Sequence, residues 1–230
     1  MPPATPAANF DRIARSYRWL EYFSFGQALE RCRFYRIPQL VSARRALVFG
    51  DGDGRFLARL LAANPTLHAD VVDQSSAMLR LLQARTAAAG AGDRICIHQA
   101  DARAFTPTGT YDLVVTHFFL DCFTTEEVKS LVQRILPHLA PDARLLVSEF
   151  AIPGGLAALP AKSIVASLYA AFRVLTGLQI HMLPDYAATF THSGLALQDR
   201  KPFLAELLIS ELWTVGKTAA SPAVSAADKV

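Results

Sequence analysis

Short apolar runs alternate with amphipathic stretches through the middle of the chain. The runs occupy residues 46–49, 69–72, 95–98, 113–116 and 145–147. Each is short and rich in β-branched or other apolar residues, which is typical of a buried strand. The stretches at 55–63, 76–89 and 126–139 carry apolar residues three and four positions apart, the spacing of a helix with one buried face. This alternation predicts an α/β fold in which helices cover both faces of a parallel sheet.

The two ends of the chain depart from this rhythm. Residues 9–40 read as helical and are rich in aromatic side chains. After Pro153-Gly154-Gly155 come a long helical stretch at 159–175 and a short helix that ends at Gly194. Two further strand candidates, 195–201 and 207–215, are separated by only a few residues. A parallel crossover needs a dozen or more residues, so these two strands are expected to form an antiparallel pair.

The composition is that of a globular protein with a sizeable core. Of 230 residues, 52% are hydrophobic and 19% are charged, which excludes a disordered chain. A net charge of +3 without a run of Lys and Arg argues against nucleic acid as a partner. Three cysteines without C-x-x-C spacing argue against a disulfide framework and favour a reducing, cytoplasmic location. The most apolar long stretch, 164–180, contains Arg173 and is too short to span a bilayer, so no integral membrane association is expected.

A glycine-rich loop follows the first predicted strand. Its sequence is Gly50-Asp51-Gly52-Asp53-Gly54, and a helix comes next. Alternating glycines permit positive φ and let a ligand lie against bare backbone, although a tight strand–helix turn is the plainer alternative. The spacing departs from the dinucleotide fingerprint, and two aspartates disfavour a diphosphate at the helix N-terminus. The loop suits a ligand that is neutral or cationic at this point, such as a zwitterionic amino-acid tail beside a sulfonium.

Carboxylates also stand at the ends of the second and third predicted strands. Asp73 can accept two hydrogen bonds from a ribose diol, or it can cap the next helix together with Ser75 and Ser76. Asp101 can accept from an adenine amino group, and by itself it could equally be a turn aspartate. Because the carboxyl ends of parallel strands meet at one edge of the sheet, the loop and both carboxylates are expected to form one binding site.

These segments resemble the class I S-adenosylmethionine-dependent methyltransferases, most closely their ubiquinone/menaquinone-methylase-like small-molecule branch. The likeness rests on a glycine motif at 47–54, an acidic ribose motif at Asp73 and 75–78, an adenine motif at 99–102, the fourth strand at 111–115, and the helical opening from Phe10 to Tyr17; it covers roughly residues 9–216. It implies a Rossmann-like sheet of seven strands, mostly parallel with an antiparallel C-terminal hairpin strand, under an N-terminal helical lid.

The resemblance implies S-adenosyl-L-methionine as the cofactor. The implied cofactor-binding residues are Gly50, Asp51, Gly52, Gly54, Asp73, Gln74, Met78, Asp101, Ala102, Thr116 and His117. Two positions depart from the family pattern. Val48 stands where most members have an acidic residue, which leaves Asp51 or Asp53 to organise the amino-acid end of the cofactor. Arg18 follows Tyr17 where the quinone methylases usually have an aspartate, so a quinone acceptor is not carried over.

In methyl transfer by in-line displacement, the protein mainly aligns the reacting groups and excludes water from them. It needs a base only where the acceptor must lose a proton. His117 and Asp121, just after the fourth strand, are the candidate bases, and Tyr17 completes the catalytic candidates. Histidine titrates near the working pH, which favours His117, although packing beside the cofactor explains it equally well. The histidines and carboxylates show no H-x-x-x-H or comparable spacing, so no metal is predicted.

The sequence therefore predicts one methyltransferase domain at residues 9–217. It comprises a helical lid at 9–44, a cofactor-binding half at 45–152, a helical insert at 153–194 and a terminal hairpin at 195–217, with a disordered arm at 1–8 and a disordered tail at 218–230. The aromatic lid and insert predict a hydrophobic or aromatic small-molecule acceptor, with O, C or N left open as the methylated atom. A NAD(P)-dependent oxidoreductase and a non-catalytic nucleoside-binding protein are the alternatives. A homodimer is left open as the assembly.

Overall fold

The computed structural model describes residue 25, residues 27–155, 158–176, residue 180 and residues 182–216. Of residues 160, 168–169 and 171–176 it describes the backbone alone. The predictions for the arm at 1–8, for the helical opening with Phe10 and Tyr17, and for the tail at 218–230 lie outside the described residues. The predicted lid is therefore represented only by its C-terminal part, which contains a short helix before the first strand.

Seven strands form one sheet in the order β3-β2-β1-β4-β5-β7-β6. They are β1 (Arg45–Phe49), β2 (His68–Asp73), β3 (Ile95–Gln99), β4 (Tyr111–His117), β5 (Leu139–Phe150), β6 (Leu195–Phe203) and β7 (Leu208–Val215). β1 pairs in parallel with β2 and β4, and β7 pairs antiparallel with both β5 and β6. β7 alone runs against the other six strands. The predicted Rossmann-like sheet with its antiparallel hairpin strand is confirmed.

Six α-helices lie in the described part of the chain, one before β1 and five between strands. They are α1 (Ala28–Phe34), α2 (Arg55–Ala63), α3 (Ser76–Ala88), α4 (Thr125–Ile135), α5 (Ala158–Thr176) and α6 (Tyr186–His192). α4 ends four residues before the predicted limit of 139, because Pro137 lies in a 3₁₀ turn (Leu136–His138) and β5 already begins at Leu139. Among the described helices, none has the length and apolar character that crossing a bilayer requires.

The strands alternate their side chains between two hydrophobic cores. Along β1, Val48 packs in the core that contains Phe56 of α2, whereas Leu47 lies in the core that contains Val128 and Leu131 of α4. β1 is thus buried on both faces, which explains why its sequence is an uninterrupted apolar run.

The topology creates a ligand crevice next to β1. The chain crosses from β1 to β2 and β3 on one side and later returns to β4 and β5 on the other. At such a reversal the connecting loops separate and leave an opening above the carboxyl ends of the strands. The loops after Phe49, Asp73, Gln99 and His117 therefore meet at one edge of the sheet.

Candidate functional site

A cleft lies at this edge of the sheet and opens to solvent; its empty space, the open solvent at its mouth included, is about 720 Å³. It brings together the predicted cofactor-binding residues Gly50, Gly52, Asp73, Gln74, Met78, Asp101 and Ala102. Residues that the sequence analysis did not select complete its walls; they are Val72, Ala100, Arg103, Phe118, Phe119, Cys122 and Phe123. The three strand-end features predicted from sequence therefore face one cavity, and aromatic rings after β4 close its far side.

Two glycines of the loop are required for different reasons. At Gly50 (φ 61°), a Cβ atom would come within 2.3 Å of the Phe119 ring. Any side chain there would displace this wall of the cleft. At Gly54 (φ 78°), a Cβ would come within 2.7 Å of the Leu82 backbone, and the residue precedes α2 directly. Gly54 therefore permits α2 and α3 to pack closely, and the structure does not place it on the cleft wall.

Asp73 is fixed by the turn that opens α3. Its Oδ1 accepts a hydrogen bond of 2.8 Å from the Ser75 amide, and the Ser75 hydroxyl accepts one of 3.1 Å from the Met78 amide. Ser75 is thus the N-cap of α3, and Asp73 takes part in the same turn, as the helix-capping interpretation of Asp73 predicted. It coexists with the position of Asp73 on the cleft wall and gives the carboxylate a fixed orientation.

Arg103 links the loop after β3 to α4. The Asp101 Oδ1 accepts from the Arg103 amide at 2.8 Å, and the Arg103 side chain donates to Glu127 Oε1 at 2.8 Å and to the Cys122 carbonyl at 3.3 Å. Its guanidinium also lies 4.6 Å from the centre of the Phe123 ring. The adenine end of the predicted site is therefore held by an ion pair to the first turn of α4.

A second, smaller pocket opens beside the glycine loop. Its walls are Arg33, Gly50, Asp51, Gly52, Asp53, Arg55 and His117. The His117 ring is buried edge-on against Phe56, with 4.3 Å between ring centres. Neither ring nitrogen has a hydrogen-bond partner among the described residues. Burial, and then the charge of Arg33, lower the pKa of His117 well below the usual histidine value. His117 is therefore neutral at neutral pH and lines this pocket together with Gly50.

The two loop aspartates have different environments. Asp53 forms ion pairs with Arg55 at 2.9 Å and with Arg85 at 3.0 Å, so its charge is offset. Asp51 accepts from the Leu57 amide at 3.0 Å, and burial raises its pKa to about 7. The guanidinium of Arg33 lies 5.1 Å from the Phe118 ring centre and lowers the pKa of Asp51 in part. The small pocket thus has the titratable carboxyl group of Asp51 and the guanidinium of Arg33 on its walls.

Two carboxyl groups lie together after β4 and β5. Asp121 is in the 3₁₀ turn Leu120–Cys122, and Glu149 is buried near the end of β5. Glu149 Oε1 accepts from the amides of residues 119 and 120 at 3.0 and 2.7 Å, while its Oε2 has no partner within the described part of the chain. Burial raises the pKa of Asp121 to about 6. Burial and the Asp121 charge raise that of Glu149 well above its usual value. The pair therefore holds a proton near neutral pH.

Some predicted residues are not brought to the cleft. Thr116 is buried and lines a small apolar cavity with Phe49 and Leu131, on the α4 side of the sheet. Tyr17 lies outside the described residues. Conversely, Arg33 and Glu149 were missed by sequence reasoning. The available signal for Glu149 was a charged residue two positions after the apolar run at 145–147. Arg33 gave no signal, because α1 also contains Arg31.

Comparison with known proteins finds similarity to the central part of the chain. A family model described as a methyltransferase domain matches residues 47–145, which span β1 to β5. The chain is also 27% identical over 117 residues to polyamine aminopropyltransferase 2 of Bacillus cereus, a match that covers 46% of this chain and 32% of that protein. The chain thus spans about a third of the length of the curated relatives that it matches.

Solved structures share the fold over most of the chain. The mitomycin 7-O-methyltransferase MmcR superposes with a TM-score of 0.67 at 21% identity, covering 90% of this chain and 61% of that one. An O-methyltransferase family 2 protein from Planctomyces limnophilus, in complex with apigenin, gives 0.65 at 18% identity, covering 87% and 61%. The pyocyanin biosynthetic protein PhzM gives 0.64 at 15% identity, covering 90% and 62%. None of these matches singles out the quinone-methylating branch.

Proposed function

We propose that the chain transfers a methyl group from S-adenosylmethionine to a hydrophobic or aromatic small molecule, because its residues 47–145 match a methyltransferase domain. The match to a methyltransferase domain supports the cofactor predicted from sequence, S-adenosylmethionine. The acceptor, the methylated atom and the residues that act on them belong to the proposal. The cytoplasmic location and the homodimer stay predictions.

The cleft fits the nucleoside part of this cofactor. Asp73 is oriented by the α3 turn where a ribose diol needs an acceptor, and Asp101 and Ala102 line the next position along the edge. The Gly50 backbone faces the same cavity without a Cβ, and a Cβ would fill space that Phe119 already occupies. These residues supply carboxylate acceptors, which suit a nucleoside and disfavour a diphosphate, together with bare backbone that a ligand can approach closely.

The small pocket fits the amino-acid part. In our proposal Asp51 contacts the ammonium group and Arg33 contacts the carboxylate, because these are the charges that a zwitterion requires. Asp53 is paired with Arg55 and Arg85, so Asp51 is the better substitute for the acidic residue that Val48 replaces. His117 packs edge-on against Phe56 at this end and is a packing residue in the proposal.

When bound, the cofactor supplies a methyl group made electrophilic by the adjacent positive sulfur. The chain contributes alignment, through the fixed Asp73 and the glycine backbone, and exclusion of water, through the rings of Phe118, Phe119 and Phe123. Where the acceptor is a hydroxyl group, its proton needs a base. We propose Asp121 for that role. It does not itself line the cleft, but it lies in the 3₁₀ turn whose next residue, Cys122, does, and Glu149 lies beside it. Its pKa of about 6 makes it a carboxylate at neutral pH.

The acceptor class is proposed from the cleft walls and from the names of the neighbours. Three phenylalanines surround the cavity after β4, which favours a flat, apolar acceptor. Two of the neighbours described above are an enzyme named for O-methylation of mitomycin and a protein bound to apigenin. Together with a carboxylate base, these features favour an aromatic hydroxyl group over a carbon or nitrogen acceptor.

The joint position of Gly50, Asp73 and Asp101 on one cleft is the observation that carries the proposal. Isothermal titration with S-adenosylhomocysteine tests it directly. Asp73→Ala removes a charge-assisted pair of about 1–3 kcal/mol and is expected to weaken binding about ten- to hundredfold. Asp93→Ala, an exposed aspartate of the neighbouring 3₁₀ turn, is the matched control and is expected to bind as wild type. Equal affinity of a folded Asp73→Ala variant would place the site elsewhere.

Incubation with S-adenosylmethionine and a panel of phenols, amines and stabilised carbanions then tests turnover. A methylated phenol in the mass spectrum supports the proposal, and binding without any product across the panel favours the non-catalytic alternative. Enhanced fluorescence of added NADH would instead revive the oxidoreductase alternative.

Aminopropyl transfer is a second candidate, because the curated relatives are named for it. An aminopropyl donor carries an amine without a carboxylate beside it. The guanidinium of Arg33 lines the small pocket and suits the carboxylate that the methyl donor carries, which favours the methyl donor. Titration with decarboxylated S-adenosylmethionine decides between the two: tighter binding of the decarboxylated compound would favour aminopropyl transfer.

A further inference from the structure

Three metal-binding side chains meet on the sheet, away from the proposed active site. Asp70 lies on β2, and Cys96 and His98 lie on the edge strand β3. One possible ligand atom from each lies within 4.8 Å of the other two. Asp70 is three residues down β2 from Asp73, which corresponds to roughly 10 Å along a strand. We propose that this Asp70–Cys96–His98 cluster is a binding site for Zn²⁺ or a similar divalent transition metal.

The register of the two strands creates the cluster. Asp70 pairs directly with Cys96, and Val72 pairs with His98. Side chains two residues apart on a strand point to the same face, so Cys96 and His98 both stand beside Asp70. The spacing rules applied to the sequence look for ligands close together along the chain, and for that reason they predicted no metal.

The ligand types match zinc. Zn²⁺ accepts thiolate sulfur, imidazole nitrogen and carboxylate oxygen in tetrahedral sites, where ligand atoms are roughly 3.3–3.7 Å apart, as follows from bond lengths of about 2.0–2.3 Å. His98 Nε2 and Asp70 Oδ1 are already 3.0 Å apart. Cys96 is exposed, so a rotation of its side chain can close the remaining gap. A carboxylate and a thiolate together balance the charge of the ion, and the thiol proton passes to solvent.

The Asp70 carboxylate is already oriented by hydrogen bonds from a neighbouring arginine, Arg45. Arg45 donates to Asp70 Oδ2 from Nε at 3.3 Å and from Nη2 at 3.1 Å, which leaves Oδ1 turned towards His98. Carboxylate ligands are commonly oriented by such hydrogen bonds to the oxygen that does not bind the metal. An ion would therefore replace the Asp70–His98 hydrogen bond and keep the pair with Arg45. Its fourth position would face solvent beside Cys96.

A metal ion bound at this site would link the edge strand β3 to its neighbour β2. β3 pairs with β2 alone and is only partly buried. A metal ion that joins Asp70 to Cys96 and His98 adds a link across this pair and stabilises the folded state to which it binds. This proposal is independent of the proposed methyl transfer, since none of the three side chains lines the cleft.

Titration of EDTA-treated full-length protein with Co²⁺ tests the site. Wild type is expected to bind one equivalent, with the visible absorption of tetrahedral Co²⁺ and a thiolate-to-cobalt band in the near ultraviolet. Zn²⁺ should then displace Co²⁺. Cys96→Ser should lose the thiolate band, and both Cys96→Ser and His98→Gln should weaken binding by about tenfold or more.

His68→Gln is the matched control, because His68 is an exposed histidine at the start of β2 and is not part of the cluster. It is expected to bind Co²⁺ as wild type, with circular dichroism confirming that all variants are folded. Absence of the thiolate band in wild type would overturn the proposal. So would a band that persists in Cys96→Ser, since the ion would then use Cys32 or Cys122.

Discussion

Buried ionisable side chains gather where β1, β4 and β5 end. Burial raises the pKa of Asp51 and Asp121 to about 7 and about 6, and it lowers that of His117. In each case the neutral form is favoured, because a charged group loses hydration when it is buried. Ionisable groups whose pKa values are shifted in this way occur at functional sites more often than elsewhere in a protein. The structure places all of them around Gly50 and the 3₁₀ turn after β4.

Arg33 is expected to select donors that carry a carboxylate. Arg33→Met keeps an unbranched side chain over Phe118 but removes the charge-assisted hydrogen bonds. Binding of S-adenosylhomocysteine should weaken about ten- to hundredfold, since such bonds contribute about 1.5–3 kcal/mol. Binding of 5′-methylthioadenosine, which lacks the amino-acid group, should not change. Calorimetry of both ligands measures this, with Arg59→Met, an exposed arginine over Phe34, as the control. Equal weakening of both ligands would show that Arg33 acts only through packing.

Asp121 is expected to set the pH dependence of turnover with a hydroxyl acceptor. A base must be deprotonated, so kcat/KM should rise as pH increases through about 6, the raised pKa of Asp121, and then level off. Asp121→Asn should lower kcat by about 10²–10⁴-fold and abolish this rise. The pH profile of the exposed-site variant Glu126→Gln should match that of wild type. An unchanged profile in Asp121→Asn, together with a lost profile in His117→Gln, would transfer the role to His117.

At the scale of secondary-structure elements, the N-terminal ends of α3 and α4 position residues of the cleft. Ser75 begins α3 and orients Asp73 through the same turn. Thr124 begins α4 in a capping box with Glu127, and Glu127 also receives the Arg103 side chain from the loop after β3. Local helix-capping chemistry, which sequence alone predicts, therefore supports two walls of the cleft.

Thr124→Ala is expected to destabilise the protein by about 1 kcal/mol, because the hydroxyl that accepts from the Glu127 amide is lost. Urea unfolding followed by circular dichroism measures this difference. Ser130→Ala, at an exposed position in α4, should change the free energy of unfolding by less than about 0.5 kcal/mol. A Thr124→Ala variant as stable as wild type would mean that the box contributes nothing beyond the interactions of solvent with the free helix end.

At the scale of the whole molecule, the order of strands decides which loops meet. β1 lies between β2 and β4, so residues far apart in the chain line one crevice. Folding into this arrangement also buries ionisable groups that the unfolded chain exposes to water. Because burial changes the pKa values of these groups, the free energy of unfolding depends on pH.

Asp51 provides a test of this dependence in the ligand-free protein. Its folded pKa of about 7 lies above the usual aspartate value of 3.8. Between these pH values the folded state keeps a proton that the unfolded state has lost. The contribution of this proton to the stability of the folded state is therefore complete below about pH 4, and it is lost as pH rises through about 7. Asp51→Asn removes this effect and should keep the acceptor for the Leu57 amide.

Urea midpoints at pH 5 and pH 8 measure the change. Relative to wild type, Asp51→Asn should become more stable from pH 5 to pH 8, by on the order of 2 kcal/mol. The opposite contribution of His117, whose lowered pKa favours stability at higher pH, cancels in this comparison. A difference that stays constant across the range would mean that Asp51 is charged at both pH values.

Much of the architecture follows from the sequence because hydrophobic periodicity is a local property. The five central strands, helix α2 and the antiparallel pair were predicted from residue patterns, and the resemblance to known methyltransferases gave the sheet of seven strands and the cofactor. The errors at the boundaries have physical causes. α4 ends early because Pro137 and the start of β5 compete for its last turn, and β5 extends to 12 residues because β7 pairs with it along its C-terminal half.

The sequence by itself determined the alternation of strands and helices, the glycine loop and the carboxylates at the strand ends, since each depends on residues adjacent in the chain. Only the tertiary structure decided which polar groups share an environment. It placed His117 beside Arg33, Asp121 beside Glu149 and Asp70 beside Cys96 and His98. Burial, strand register and the choice of face depend on contacts between residues distant in sequence, and no local pattern records them.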